Sequence, residues 1–162
     1  MAPRFPLYID LNGNNCIIFG GGDKAANRAE VLLQFGAKIT IISPTLCTKL
    51  RDMEENGLIR YIPRRYYRGD CSSCYLCVAA TNNDAINIAI SDECKAKAVA
   101  VNVTHPSAFG TFLFPTVITE QDITISVVST KNQKIAERVR DLIEEEISVF
   151  HKAMLNDDAV VE

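Results

Sequence analysis

Four consecutive apolar residues, Cys16-Ile17-Ile18-Phe19, run into Gly20-Gly21-Gly22-Asp23-Lys24-Ala25, and the chain resumes at Ala26-Asn27-Arg28 in a helical pattern. This stretch constrains the fold most, because it predicts a buried parallel strand, a tight turn and a helix N-terminus in immediate succession. In that arrangement Gly20 permits the turn, Gly22 lets the backbone come close to a pyrophosphate, and Ala25 lets the helix pack tightly on its strand. The first N–H groups of such a helix have no partner within it and, with the positive end of the helix dipole, face an anion. Glycine-rich strand-to-helix turns also occur with no ligand, so the motif gains its meaning from the rest of the chain.

The chain of 162 residues is long enough for one compact domain, or a domain with a small appendage, without disulfides or metal to make its core. It is 48% hydrophobic with a net charge of −3, which argues against disorder and against a general attraction to nucleic acid. The segment from Met1 to Pro6 has no apolar signal-type run, and no stretch is long and apolar enough to span a membrane. The expected location is therefore cytoplasmic. In that setting the six cysteines are expected to be reduced thiols rather than a disulfide framework.

In chain order, Leu7-Tyr8-Ile9-Asp10-Leu11 is a strand-like lead-in and Asn12-Gly13-Asn14-Asn15 a turn into the first core strand. The helix after the glycines has Ala26, Val31, Leu32 and Leu33 as its inner face and ends at Gly36. A strand at 38–42 stops at Ser43-Pro44-Thr45. Leu46, Leu50 and Met53 then mark an amphipathic helix. Further strands are expected at 58–62, 75–80 and 99–103, with Thr81-Asn82-Asn83-Asp84 capping a helix that carries Ile86, Ile88, Ala89 and Ile90. This alternation predicts an α/β fold, a Rossmann-like, doubly wound parallel sheet that binds ligands at the carboxyl ends of its strands. The pattern then changes: strands at 111–118 and 123–129, with no helix between them, read as an antiparallel hairpin, followed by a helix from about Gln133 to Leu155 and a polar tail. The expected division is a dinucleotide-binding domain over 1–108 and a dimerisation segment over 109–162, since a hairpin and a helix bury little alone.

The ordered series Pro6-Leu7-x-x-Asp10-Leu11, Gly20-Gly21-Gly22-Asp23, Gly36-Ala37-Lys38-Ile39-Thr40-Ile41, Ala79-Ala80-Thr81-Asn82, Val101-Asn102-Val103 and Phe114-Pro115 resembles the precorrin-2 dehydrogenase family, which includes the N-terminal module of siroheme synthase. The resemblance covers nearly the whole folded part of the chain. It implies oxidation of precorrin-2 to sirohydrochlorin with NAD, a homodimer, and in some members insertion of ferrous iron. Three departures bear on activity. The family's Asn-Val-x-Asp stands here as Asn102-Val103-Thr104-His105, its Ser-[Ser/Thr]-Gly-Gly-x-Ser-Pro as Ser129-Thr130-Lys131-Asn132-Gln133-Lys134-Ile135, and the chain stops near where the family's helical domain begins. The resemblance thus implies a dehydrogenase, and these departures predict that another protein inserts the iron.

The expected cofactor site comprises Gly20, Gly21, Gly22, Asp23, Lys24, Ala25, Ser43, Pro44, Thr45, Thr81 and Asn82. The second strand ends in neither the acidic residue common at NAD sites nor an arginine for the phosphate of NADP, and the resemblance favours NAD. Asp23 is either a ribose partner or a helix-start carboxylate favoured by the dipole. His105 and Asn102 are the candidate catalytic residues: both follow or end a strand at the sheet's carboxyl edge, and a neutral imidazole can accept a proton there. Cys71-Ser72-Ser73-Cys74-Tyr75-Leu76-Cys77 has the x2 spacing of a thiolate metal site. Cys77 falls inside a strand and Cys94 lies beyond a helix, so buried cysteine as a small hydrophobe is the expectation, with no metal site assigned. Arg64-Arg65-Tyr66-Tyr67-Arg68 is expected to be a solvated loop or, more specifically, a site for the carboxylates of a tetrapyrrole. The competing reading of the whole is a non-catalytic dinucleotide- or tetrapyrrole-binding sensor or partner protein.

Overall fold

In the computed structural model, residues 5–158 are described, apart from 122 and 131. Two compact units divide the chain, one through Phe112 and the other from Leu113. The boundary falls later than the expected break at 108. The reason is that Thr111 returns to the sheet: its N–H donates to the Val101 carbonyl at 2.8 Å, and its Oγ1 accepts from the Val101 N–H at 2.8 Å.

The first unit is built on five strands: β1 (Asn15–Phe19), β2 (Lys38–Ile42), β3 (Ile59–Ile62), β4 (Leu76–Ala79) and β5 (Ala100–Val103). Every pairing is parallel and the strand order is β3-β2-β1-β4-β5. The chain builds outward from β1 to β3, then returns to the other side of β1, so the order reverses between β1 and β4. That is the crevice in which an open parallel sheet binds ligands. The helices are α1 (Asp23–Gln34), α2 (Thr48–Glu55) and α3 (Asp84–Ala96). The β3-to-β4 crossover has no α-helix, only a 3-10 turn over Asp70–Ser73.

Side chains alternate across the strands. Cys16, Ile18, Ile41 and Val78 point to one face, while Ile17, Phe19, Ile42, Cys77, Ala79, Val101 and Val103 point to the other. This second face is covered by Cys71 and Tyr66 of the crossover and by Ile86, Ile90 and Cys94 of α3. Burial of both faces explains why the strands read as continuous apolar runs.

Several expected elements differ. Residues 7–11 pair with no strand; Asp10 instead makes a local turn, its Oδ1 accepting the Asn12 N–H at 2.9 Å. The inner face of α1 is Ala25, Ala26, Ala29 and Leu32, small residues that let the helix lie close to the sheet. The buried face of α3 is Asn87, Ile90, Ser91, Glu93 and Cys94, whereas Ala89 is exposed. Three residues of this face are polar and bond to loops rather than to water, so an apolar pattern does not mark them.

The second unit holds β6 (Thr116–Glu120) and β7 (Ile123–Val127), an antiparallel hairpin, and α4 (Gln133–Asp158), which packs on it. The strand expected from 111 begins only at Thr116, and the pairing runs through Glu120↔Ile123, so the turn is shorter than the four residues expected. Gln121 has φ 52 in this turn. The expected polar tail beyond 158 lies outside the described residues.

Candidate functional site

The glycine turn is tied to both neighbouring strands. The Gly20 N–H donates to the Ile42 carbonyl at 3.1 Å, the Cys47 N–H donates to the Gly21 carbonyl at 2.7 Å, and the Ala80 N–H donates to the Phe19 carbonyl at 2.8 Å. Gly20 has φ +123, and a Cβ there would lie 2.3 Å from the Ala80 carbonyl oxygen. A Cβ on Gly21 would lie 1.8 Å from the Thr45 carbonyl oxygen. These two glycines are required by the fold itself.

Gly22 is different. Its backbone is extended at φ −93 and ψ −174, which any residue adopts, and a Cβ would meet nothing within 4 Å. It forms the N-cap of α1, and no side chain caps the helix. With no side-chain cap and open space beside Gly22, this helix start suits an anion held by backbone donors and the helix dipole. A phosphate diester fits this cradle.

Around the turn lies a cleft of about 480 Å³, within the size range of small-molecule sites. Its floor and walls include Gly20 to Gly22 after β1, Ser43, Pro44 and Thr45 after β2, Ala80, Thr81 and Asn82 after β4, and Arg65 and Tyr66 from the crossover. The expected cofactor residues thus converge, except that Asp23 and Lys24 are exposed at the helix start and Ala25 is buried beneath it. Arg65 carries the one charged side chain among the lining residues, so the cleft has a cation and no carboxylate or imidazole.

The two candidate catalytic residues do not line this cleft. Asn102 pairs in register with Val78, which puts its side chain on the Ile18 face of the sheet. There its Nδ2 donates to the Phe112 carbonyl at 3.3 Å, and its buried Oδ1 has no hydrogen-bond partner. His105 is exposed on the loop after β5, with Nδ1 2.9 Å from the Asp84 Oδ1. An alternating strand sends neighbouring positions to opposite faces, so nearness in sequence to the carboxyl edge did not place Asn102 in the crevice.

Two features escaped the sequence reading. Asn87, fully buried on α3, fixes the rim of the cleft: its Oδ1 accepts from the Thr81 N–H at 3.1 Å and the Thr81 hydroxyl at 2.7 Å, while its Nδ2 donates to the carbonyls of Thr81 at 3.0 Å and His105 at 2.9 Å. The legible signal was an amide between Ile86 and Ile90 on a buried helix face. The second feature is the division of labour in the arginine run. Arg64 is held by both oxygens of Asp70, at 2.7 and 2.8 Å, and this ion pair keeps the Asp70 carboxyl below its usual range. Arg65 is the one that reaches the cleft.

The crossover that carries Arg65 and Tyr66 is anchored by Glu93. Its carboxylate accepts from the Tyr66 hydroxyl at 2.5 Å, the Gly69 N–H at 3.0 Å, the Cys71 N–H at 3.1 Å and the Lys97 ammonium at 2.6 Å. Burial alone would raise its pKa, but these donors outweigh it and bring the group down to about 2. The Tyr66 ring packs edge-on against Phe19 at 5.3 Å, closing the base of the cleft.

A five-stranded parallel sheet with a glycine cradle at its switch point defines a Rossmann-like dinucleotide-binding domain. The chain belongs to the family described as putative NAD(P)-binding, which it matches over residues 7–116. Among proteins similar to it, the siroheme synthase of Chromobacterium violaceum is 30% identical over 125 residues, covering 77% of this chain and 27% of that one. A probable multifunctional siroheme biosynthesis protein HemA of Ruminiclostridium josui is 31% identical over 145 residues, covering 86% and 28%. The chain therefore spans little more than a quarter of these relatives. The solved structure of SirC, a precorrin-2 dehydrogenase, superposes with a TM-score of 0.69 at 23% identity over 88% of this chain and 71% of that one, a likeness of fold. No described helix is long and apolar enough to cross a membrane.

Proposed function

We propose that this chain is an NAD-dependent precorrin-2 dehydrogenase of siroheme biosynthesis. The observation that carries the reading is the cleft at the β1/β4 switch point, where Gly22 offers backbone donors to open space beside a single arginine. NAD, when bound, supplies the hydride acceptor. In this assignment the N–H groups at the start of α1, from Gly22 to Ala25, hold the pyrophosphate. Ser43, Pro44 and Thr45 wall the adenosine half, and Asn82 and Thr81, the latter held by Asn87, flank the nicotinamide. Arg65 attracts a carboxylate of the tetrapyrrole at the mouth.

The overall change is precorrin-2 and NAD⁺ to sirohydrochlorin, NADH and a proton. His105, on the exposed loop outside the cleft, is assigned the proton: its Nδ1 lies 2.9 Å from the Asp84 Oδ1, and in the tautomer that donates there Nε2 is the accepting nitrogen. Asn102 is assigned a supporting part, holding β5 to the returning chain through the Phe112 carbonyl. The reading extends to a homodimer through the second unit, where Ile135, Val139 and Leu142 form an exposed apolar stripe at helical spacing on α4, accompanied by Ile123 and Val128 on and after β7. A location in the cytoplasm belongs to the same proposal.

Mixing the purified chain anaerobically with precorrin-2 and NAD tests the activity. Growth of sirohydrochlorin absorbance together with NADH supports it; NAD binding without turnover supports the second reading, a non-catalytic dinucleotide-binding partner. That second reading draws on one observation, the lack of a carboxylate or imidazole among the residues lining the cleft.

A further inference from the structure

The structure brings together cysteines that the chain keeps apart. The sulfurs of Cys71 in the 3-10 turn, Cys77 in β4 and Cys94 in the last turn of α3 all lie within 4.8 Å of one another, and all three residues are fully buried. Cys74, half-exposed, has its Sγ 3.2 Å from the Cys77 Sγ. From this juxtaposition we infer that Cys71, Cys74, Cys77 and Cys94 bind one zinc-class divalent ion, which staples the helix-less crossover to β4 and α3.

Geometry favours a single ion. Zinc holds thiolates at about 2.3 Å, so the edges of a tetrahedral four-sulfur site are about 3.8 Å. The separations here, 3.2 Å for one pair and no more than 4.8 Å within the triad, bracket that edge. In a four-iron cluster each thiolate binds a different iron, and in a two-iron cluster the thiolates divide in pairs between two irons, so part of the sulfur set stands farther apart than around a single ion. A disulfide brings two sulfurs to about 2.05 Å, and the described cysteines are free. The ligand spacing is Cys-x2-Cys-x2-Cys from the crossover into β4, with the last ligand returning from α3. Closing the fourth vertex falls to Cys74, at the solvent side. Four sulfur ligands in tetrahedral array suit zinc or ferrous iron over harder cations.

The surroundings agree with a structural rather than catalytic ion. Ile90 and Val101 share the buried cluster of Cys71, Cys77 and Cys94, Val99 and Cys74 pack against it, and four protein ligands leave no open position. An ordinary core use of cysteine needs no sulfur near another sulfur. Here three of the chain's six cysteines meet, with Cys74 beside Cys77, at the point where an α-helix is missing from the fold. The crossover held in this way is the one that presents Arg65 and Tyr66 to the cleft.

The test uses the full chain purified anaerobically with a phosphine reductant, loaded with zinc, desalted and assayed for metal and protein. One zinc per chain is expected. Cobalt in place of zinc is expected to give the intense thiolate-to-cobalt charge-transfer bands and tetrahedral d–d absorption of a four-sulfur site. Cys74→Ser and Cys94→Ser are each expected to weaken zinc at least tenfold in competition with a chelating dye, while Cys47→Ser, outside the cluster, leaves the stoichiometry at one. Wild-type protein that retains no stoichiometric zinc and shows no cobalt charge transfer overturns the inference, as does an iron–sulfur chromophore or a disulfide among these cysteines in mass spectra. The wild-type measurements decide the matter even where a variant fails to fold.

Discussion

Replacing Gly22 by valine separates a glycine needed by a ligand from one needed by the fold. At Gly22 the backbone is extended and a Cβ meets nothing within 4 Å, so no steric penalty arises in the free protein. Losing a tolerable N-cap residue costs about 1 kcal/mol. Restricting the unfolded chain offsets this by about 0.4–1 kcal/mol, leaving a net change within about 1 kcal/mol. Gly20→Ala is the contrast: φ +123 strains an L-residue by about 1–3 kcal/mol, before the 2.3 Å approach to the Ala80 carbonyl is counted. Gly22→Val should therefore unfold near wild type in urea while Gly20→Ala is clearly destabilised. In titration calorimetry Gly22→Val should bind NAD about 10- to 100-fold more weakly, a loss of about 1.4–2.8 kcal/mol, because the side chain takes the space assigned to the pyrophosphate. An unchanged dissociation constant in a folded variant would refute the cradle.

His105→Ala should lower kcat for precorrin-2 oxidation at least tenfold with NAD affinity unchanged, and an unaltered kcat would remove the imidazole from the chemistry. Glu93→Ala should cost on the order of 3–5 kcal/mol in urea unfolding, because Lys97, Tyr66 and two backbone N–H groups lose a buried carboxylate together; a loss below 1 kcal/mol would mean the crossover is held by other means. Leu142→Glu should convert a dimer to a monomer in light scattering at micromolar concentration, whereas a wild-type monomer would end the dimer proposal. Supplied anaerobically with sirohydrochlorin and ferrous iron, the chain should form no siroheme above the uncatalysed rate, and enzyme-dependent formation lost in His105→Ala would show that histidine had taken over chelation.

The alternation of strands and helices, the glycine turn and the order of its companion motifs were legible in the chain because they are local. Apolar runs predict buried parallel strands from their own composition, and Gly20 announces its turn by lacking a Cβ. The convergence of Gly20 to Gly22, Ser43 to Thr45 and Thr81 to Asn82 also followed, since a parallel sheet gathers its carboxyl ends at one edge. What tertiary structure alone decided are contacts between residues distant in sequence and the facing of single side chains. Arg64 and Arg65 are adjacent and chemically equal until Asp70 engages one of them and leaves the other at the cleft. Asn102 differs from its neighbours only by strand parity, which turned it away from the crevice. Asn87 and Glu93 are polar residues on a buried helix face, and no period of apolar residues marks such positions because their partners are backbone groups of other loops. Cys94 joins Cys71 and Cys77 only because α3 packs back over β4 beneath the crossover, a closure across the fold that spacing in the chain does not record.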